Sequence, residues 1–388
     1  MSKTKRVFIL LTTTILMSVI LACCGSADSE NRQGSAFDEH RTGSMELLYA
    51  DQFHVDFYDD GITVIEVEDG LKYLITEDPE ALPEWLPENI SEDMTIISMP
   101  AHSVYNAASS AMDLIDAIGA IDSVIMTSTQ ADDWSIDKIR ELVENDKIRY
   151  IGKYRAPDYE ALLEEDVDLA IESTMIYHSP QVKEAIEELG IPVLVERSSY
   201  ESEPLGRLEW IKLYGLLLGK SEEAKSFFDE AVSKLEGVDT DSISESPTVA
   251  FFSVNSNGSV VVRKPGDYVT KMIEMAGGTY ALKDITEEEE NALSTMNMQM
   301  EAFYDKAVDA DIIIYNSTIE GGLKDISELT ELSDRFIDFK AVKSGNVWCT
   351  DASTFQRTTG AADMILEMNR IFAGNAEDES LGYFRKLK

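Results

Sequence analysis

Cysteine and histidine are scarce in this chain of 388 residues, which has three cysteines and four histidines. Cys23 and Cys24 directly follow an N-terminal apolar run, so Cys349 has no partner for a disulfide framework. Cys349 follows Val347 and Trp348, a setting typical of a small buried hydrophobic residue. No HExxH, His-x-His or CxxC pattern occurs, which argues against a site for a bare zinc or manganese ion.

Basic residues are also few. The sequence has 33 Lys and Arg against 73 Asp and Glu, a net charge of −40. A protein that binds nucleic acid needs an excess of cations to displace phosphate counterions, so this composition argues against a nucleic-acid partner. Hydrophobic residues make up 44% and charged residues 27%, as in ordinary soluble proteins, and the length allows two domains.

Signatures of catalysis are missing as well. The sequence contains no GxSxG motif, no Walker loop and no GxGxxG after a first strand. The glycine pairs Gly277-Gly278 and Gly321-Gly322 lie in predicted loops and are weak signals. These absences favour a non-catalytic binding protein over an enzyme, and turnover of an offered ligand would discriminate between the two.

The N-terminal apolar run is too short for a stable membrane span. Lys3, Lys5 and Arg6 precede the run Val7–Ala22. A spanning helix needs about 20 apolar residues, so residues 1–22 are predicted to be a cleaved export signal.

The end of this signal, Ile20-Leu21-Ala22-Cys23, resembles the lipobox of bacterial lipoproteins. The resemblance implies that Cys23 is lipidated, with Cys24 as the alternative, and that the protein is anchored to the outer face of the cell membrane. The polar residues that follow predict a flexible tether over 23–45.

The rest of the chain predicts an α/β protein with two lobes. Residues 46–93 alternate apolar and polar side chains around Asp-Gly turns, which predicts a β-hairpin extension. Residues 94–220 (lobe one) and 247–388 (lobe two) alternate short apolar runs with amphipathic segments, the pattern of mostly parallel sheets covered by helices. The strands predicted in lobe one are Thr95–Met99, Ser123–Met126, Arg149–Ile151, Asp168–Ile171 and Pro192–Val195, and Val104–Ile118 is predicted to be an amphipathic segment.

A helix between the lobes, Ser221–Val238, is predicted to act as a spine. Ser221 is the expected N-cap, and apolar residues recur along the helix at three- and four-residue steps. Ligands of open parallel sheets bind beyond the carboxyl ends of the strands, so the groove between the lobes is the predicted site.

Four segments, taken together, resemble the iron-siderophore- and cobalamin-binding proteins of ABC importers, the class III periplasmic binding proteins. They are Pro157–Ile171, Tyr200–Gly219, Gln299–Glu301 ahead of Ala310–Ile314, and Asp338–Trp348. The resemblance covers Met94 to the end of the chain. It implies two Rossmann-like lobes joined by a stiff helix, limited closure on the ligand, and a monomer that meets an ABC permease and its ATPase subunits.

The resemblance also implies one docking glutamate in each lobe, and by position these are Glu160 and Glu301. Exposed ion pairs contribute only about 0–1 kcal/mol each, so such contacts would set orientation and encounter rate. The alternative is that both are ordinary first-turn acids that the helix dipole favours.

The strand-end loops collect aromatic residues and arginines that suit a bulky organic chelate with acidic oxygens. The predicted ligand-binding residues are Tyr105, Trp134, Tyr177, His178, Arg197, Tyr200, Arg263, Phe355 and Arg357. The resemblance makes a ferric siderophore the expected ligand, with haem or cobalamin next and no resident cofactor. A bare metal ion held by His102, His178 and Glu172, or haem iron held by Met175, Tyr177 or His178, is a weaker alternative.

Overall fold

The computed structural model describes residues 37, 39–285, 294–318, 321–376 and 381–388. The predicted signal peptide, Cys23, Cys24 and most of the predicted tether lie outside these residues. The described residues form three β-sheets, one ahead of lobe one and one in each lobe. Two α/β lobes with separate sheets confirm the predicted fold class.

The first sheet, called the N-terminal sheet, has five strands in sequence order. They are β1 (Arg41–Ser44), β2 (Phe53–Tyr58), β3 (Thr63–Val67), β4 (Lys72–Thr76) and β5 (Thr95–Ser98), and a short helix α1 (Ile90–Asp93) precedes β5. Strands β1 to β4 are antiparallel neighbours, whereas β5 runs parallel to β4. The structure therefore places the predicted first strand of lobe one in the N-terminal sheet, and β1 falls within the predicted tether.

The sheet of lobe one is wholly parallel, in the order β10-β9-β6-β7-β8. Its strands are β6 (Val104–Asn106), β7 (Val124–Thr127), β8 (Arg149–Tyr150), β9 (Leu169–Ser173) and β10 (Val193–Glu196). The helices that accompany it are α2 (Ser109–Ala117), α3 (Asp137–Glu144), α4 (Tyr159–Glu164) and α5 (Pro180–Glu188). The central strand β6 corrects the prediction of one amphipathic segment over Val104–Ile118, because its three buried residues are too few to show a strand pattern.

Two helices follow lobe one, α6 (Pro204–Leu217) and α7 (Ser221–Lys234). The predicted spine corresponds to α7, which packs against α6 and buries Ala224, Phe228 and Ala231 at steps of four and three residues. Ser221 is the first helical residue instead of the predicted N-cap, and no side chain caps this end. The helices approach closely at Gly215, where an added Cβ would lie 2.5 Å from the Cβ of Ala224.

The N-terminal sheet shares its core with lobe one. Phe53, Ile65 and Ile97 belong to the same buried cluster as the inner face of α6, and the rings of Phe53 and Trp210 are 4.8 Å apart. The N-terminal sheet is therefore part of the same folded unit as lobe one, whereas the sequence predicts a separate hairpin unit.

The sheet of lobe two is mixed, in the order β14-β12-β11-β15-β16-β17, with β13 beside β11. Its strands are β11 (Thr248–Val254), β12 (Val260–Arg263), β13 (Thr279–Tyr280), β14 (Thr295–Met298), β15 (Ile312–Tyr315), β16 (Val347–Thr350) and β17 (Phe384–Lys386). Its helices are α8 (Tyr268–Met275), α9 (Met300–Ala307), α10 (Ile326–Leu332), α11 (Lys340–Ser344) and α12 (Ala361–Phe372). No helix of the described residues combines the length and the apolar character needed to cross a bilayer.

Candidate ligand groove between the lobes

The two lobes meet along a polar seam formed by the loop after β16. The side chain of Gln356 accepts a hydrogen bond from the Ser135 backbone N–H and donates one to the Asp133 carbonyl oxygen, both at 2.8 Å. The backbone N–H and the hydroxyl of Thr359 donate to Asp113 Oδ2, at 2.8 and 2.6 Å. Burial at this seam raises the pKa of Asp113, although the bonds from Thr359 partly offset the effect.

Arg207 of α6 makes a further contact between the lobes. It is not among the residues that the sequence predicts for the site. Its guanidinium lies 4.0 Å from the centre of the Tyr268 ring in lobe two, a cation–π distance. The space enclosed beside these two residues, Phe355 and Arg357 is about 20 Å³. A space of this size admits about one water molecule and no organic ligand, so such a ligand has to bind elsewhere along the groove.

The first cluster of predicted residues lies beyond β9 and β10 in lobe one. The guanidinium of Arg197 is 4.4 Å from the centre of the Tyr200 ring. Tyr177 donates a hydrogen bond to Asp69, a residue of the N-terminal sheet's β3–β4 turn that the sequence analysis did not select. Burial, together with this acceptor, raises the pKa of Tyr177. The structure thus brings Tyr177, Arg197 and Tyr200 into one site, in which Tyr177 is exposed and the other two are half-buried.

The second cluster lies in lobe two. The guanidinium of Arg263 is 4.5 Å from the centre of the Phe355 ring, and Nη1 is 3.6 Å from a carboxylate oxygen of Asp267. Nη1 of Arg263 also donates to the Ser294 hydroxyl at 3.1 Å, so these contacts hold Arg263 in the interior of the lobe. Arg357 lies over the Tyr383 ring at 5.8 Å, close to the seam.

Three predicted residues lie apart from these clusters. Tyr105 is the middle residue of β6 and fully buried, so it does not stand beyond a strand end as the sequence analysis expected. Trp134 is buried in the core of lobe one, where its indole N–H donates to the Thr129 carbonyl oxygen at 3.3 Å. His178 ends a short 3-10 helix, Thr174–His178, and its side chain is exposed.

Glu172, near the end of β9, is fully buried, and neither carboxylate oxygen has a hydrogen-bond partner among the described residues. Burial raises the pKa of Glu172 to about 8, so the carboxyl group keeps its proton at neutral pH. The nearby hydroxyl of Tyr105 also has no partner in the described part of the chain, and burial raises the pKa of this tyrosine too.

An open cleft of about 400 Å³ lies at the carboxyl ends of β15 and β16. Ser317, Thr350, Asp351 and Arg385 contribute its polar lining. The volume falls within the range of about 300–1,000 Å³ that is usual for small-molecule sites. Of these strand-end loops, only Phe355 and Arg357 are predicted from the sequence to contact a ligand, because hydroxyl groups give no distinctive pattern.

The predicted docking glutamates occupy matching positions in the two lobes. Glu160 lies in the first turn of α4 and Glu301 in the first turn of α9, and both are exposed. Asp158 caps α4 by accepting from the backbone N–H groups of Glu160 and Ala161, at 3.1 and 3.2 Å. The capping role thus belongs to Asp158, and the side chain of Glu160 is directed to solvent.

Among the described residues, no group of three His, Cys, Asp or Glu side chains is placed to hold a metal ion. The candidate ligand groups are therefore the arginines, tyrosines and hydroxyls of the groove, which suit the oxygen atoms of an organic ligand.

Comparison with known proteins identifies the class to which this arrangement belongs. The sequence profile of the periplasmic binding proteins matches residues 107–354, more than half of the chain. The chain belongs to this family, in its class III, whose ligands are siderophores, haem and cobalamin. Binding proteins of this class work with the permease and ATPase of an ABC importer.

Two curated relatives are uncharacterized lipoproteins of Methanocaldococcus jannaschii. One is 24% identical over 80% of this chain and 77% of its own length. The other is 24% identical over 99% of this chain and 100% of its own length.

Solved structures share the fold at low sequence identity. A periplasmic haem-binding protein of Vibrio cholerae has a TM-score of 0.56 at 15% identity, over 69% of this chain and 98% of its own. A periplasmic haem-binding protein of Pseudomonas aeruginosa has a TM-score of 0.56 at 17% identity, over 74% and 98%. A petrobactin-binding protein of Bacillus subtilis has a TM-score of 0.55 at 16% identity, over 71% and 91%.

Proposed function

We propose that this protein is the lipid-anchored receptor of an ABC importer and that it captures a ferric siderophore in the groove between its lobes. The observation that carries the ligand class is the site beyond β9 and β10, where Arg197 lies over Tyr200 and shares the Asp69 carboxylate with Tyr177. A guanidinium among aromatic rings binds carboxylate or metal-bound oxygens while the rings cover apolar parts of the ligand.

Haem or cobalamin is the second candidate. Two of the structural neighbours are named haem-binding proteins, and haem presents carboxylates on a flat apolar ring, which the same arginine and tyrosine groups would accept. A bare metal ion is less favoured, because the ligand groups of the groove are arginine and tyrosine side chains.

In this proposal Cys23 carries the lipid, and the receptor acts as a monomer without catalysis. Two relatives are named lipoproteins, which supports a lipid anchor. After loading, it presents Glu160 and Glu301 to the permease. Both are exposed first-turn residues, which suits contacts that form and release quickly.

The test is to purify the protein from iron-limited cells and to examine it by native mass spectrometry and absorbance. A one-to-one complex with a ferric siderophore is the expected result. A haem or corrin spectrum would favour the second candidate. Conversion of an offered chelate to a product would refute the receptor and favour an enzyme.

A further inference from the structure

The turn between β3 and β4 of the N-terminal sheet reaches the cluster of predicted ligand-binding residues in lobe one. Asp69 lies in this turn, followed by Gly70 at a φ of 89°, where the left-handed backbone favours glycine. Asp69 Oδ1 accepts a hydrogen bond from the Leu71 backbone N–H at 3.1 Å, and the Gly70 N–H donates to the Val67 carbonyl oxygen at 2.8 Å. The turn therefore holds the Asp69 carboxylate in a defined position.

The second oxygen of Asp69 contacts two predicted ligand-binding residues. Asp69 Oδ2 accepts the hydrogen bond of Tyr177 and is 3.8 Å from Nη1 of Arg197. The Asp69 and Arg197 side chains are only 16% and 12% exposed, so solvent screens the pair weakly. Gln52, which immediately precedes β2, accepts from Nη2 of Arg197 at 3.3 Å.

Arg197 nevertheless keeps unused capacity for an acidic group. Its distance of 3.8 Å from Asp69 exceeds that of a hydrogen bond, and its Nε has no partner among the residues that the structure describes. The adjacent Ser198 hydroxyl is buried and likewise has no partner in the described chain. A guanidinium can grip a carboxylate through two parallel bonds, and Asp69 makes neither of them.

We propose that Asp69 is a specificity-determining residue, which occupies the position of a ligand's acidic oxygen at Arg197 and Tyr177 until such a ligand displaces it. The inference rests on the proposed function, because it assumes that the ligand enters this site. A ligand with carboxylates replaces the loose contact of Asp69 by a bidentate one, whereas a ligand without acidic groups leaves Arg197 paired with Asp69. The N-terminal sheet, which lies outside the matched family region, thereby selects among ligands.

The test compares the wild-type protein with Asp69→Asn, which removes the charge and keeps the shape of the side chain. Glu68→Gln is the matched control, since it removes the same charge from an exposed neighbour in the same turn. Calorimetry measures the affinity of each protein for citrate, for ferric citrate and for ferrichrome, a ferric hydroxamate without carboxylates. Because a ligand carboxylate has to replace the Asp69 carboxylate at Arg197 and Tyr177, removal of this competing charge should let Asp69→Asn bind citrate and ferric citrate about tenfold more tightly.

Glu68→Gln should match the wild type with every probe, and ferrichrome should not distinguish the three proteins. The difference in tyrosine absorbance between each protein and its Tyr177→Phe variant, followed as pH rises, verifies the contact itself, because loss of Asp69 should lower the pKa of Tyr177. Equal or weaker citrate affinity in Asp69→Asn, or no binding at millimolar citrate, would overturn the inference. If Asp69→Asn gains affinity for citrate while no protein binds a ferric chelate, the inference holds and the proposed function fails. If all three proteins bind ferric citrate equally, the inference fails and the proposed function stands.

Discussion

Replacement of Glu209 by glutamine should loosen the attachment of the N-terminal sheet to α6. Glu209 is fully buried, and its carboxylate accepts hydrogen bonds from the backbone N–H groups of Leu48, Tyr49 and Ala50 at 2.8 to 3.0 Å. Lys212 donates to the same carboxylate at 2.6 Å. One side chain thus satisfies three backbone donors of a segment that follows β1 by four residues.

The expected loss can be estimated from these contacts. A hydrogen bond to a charged group contributes about 1.5–3 kcal/mol, and breaking a buried ion pair costs about 3–5 kcal/mol. The amide of glutamine turns one acceptor into a donor that faces other donors and leaves Lys212 without its countercharge. We expect Glu209→Gln to lower the free energy of unfolding by about 3–4 kcal/mol, since the remaining oxygen keeps part of the network.

Urea unfolding followed by circular dichroism gives the free energy, and hydrogen exchange gives the local effect. The amides of Leu48, Tyr49 and Ala50 should lose protection before those of β9. Glu222→Gln, an exposed acid on α7, is the control and should change the free energy of unfolding by less than about 0.5 kcal/mol. An unchanged free energy and unchanged protection at residues 48–50 in Glu209→Gln would refute the reasoning.

Three further predictions follow from other contacts. Gly215→Ala should lower the free energy of unfolding by about 1–3 kcal/mol, measured by urea unfolding, because its Cβ would lie 2.5 Å from that of Ala224 and 2.9 Å from the Lys220 carbonyl oxygen. Burial raises the pKa of Glu172 from 4.5 to about 8. Between pH 4.5 and about 8 the folded state therefore binds more protons than the unfolded state, so the free energy of unfolding falls as pH rises through this range. Glu172→Gln should therefore raise the free energy of unfolding by about 3 kcal/mol at pH 7, measured by denaturation at pH 4.5 to 8, and flatten its pH dependence. Glu160→Ala combined with Glu301→Ala should abolish uptake of the ligand by cells and leave the affinity of the purified protein unchanged.

Matched variants separate these effects from general damage. Gly43→Ala, at a position with no atom within 4 Å of the added Cβ, should have little effect, and equal losses at both glycines would contradict the close-packing argument. Glu164→Gln, an exposed acid in α4, should leave the pH dependence intact. The double change Glu184→Ala and Glu274→Ala removes exposed acids elsewhere and should preserve uptake, whereas weaker ligand binding in the docking variant would contradict the assigned role.

The sequence predicted the elements whose pattern is local. Apolar periodicity in the sequence predicts helices near Met300–Ala307 and Ala361–Phe372, and α9 and α12 have these bounds, because each carries an apolar stripe over two or more turns. Strand β6 escaped prediction because three buried residues show no periodicity. Strand β5 was predicted as a strand, but its pairing with β4 depends on register between distant segments, which the local pattern does not encode.

The candidate site was predicted in part for the same reason. Arg197 and Tyr200 lie beyond strand ends, where the general rule for parallel sheets directs attention. Asp69 contacts Tyr177 across 108 positions of sequence, and Arg207 meets lobe two from the first turn of α6. Tyr105 was misplaced because the unrecognised strand β6 turned a supposed loop residue into a core residue.

The bonds from α6 to residues 48–52 have a mechanical consequence. Glu201 continues the contact made by Glu209, because it accepts from the backbone N–H groups of Asp51 and Gln52 at 3.0 and 3.1 Å. Burial raises the pKa of Glu201 to about 7. If the lipid anchor proposed above holds the protein, a pull from the membrane passes β1 and then reaches residues 48–52, whose bonds transmit it into α6, a helix in contact with both halves of the molecule. Among the described strands only β1 lies ahead of this attachment, so the load can peel β1 from β2, but beyond that point α6 carries it.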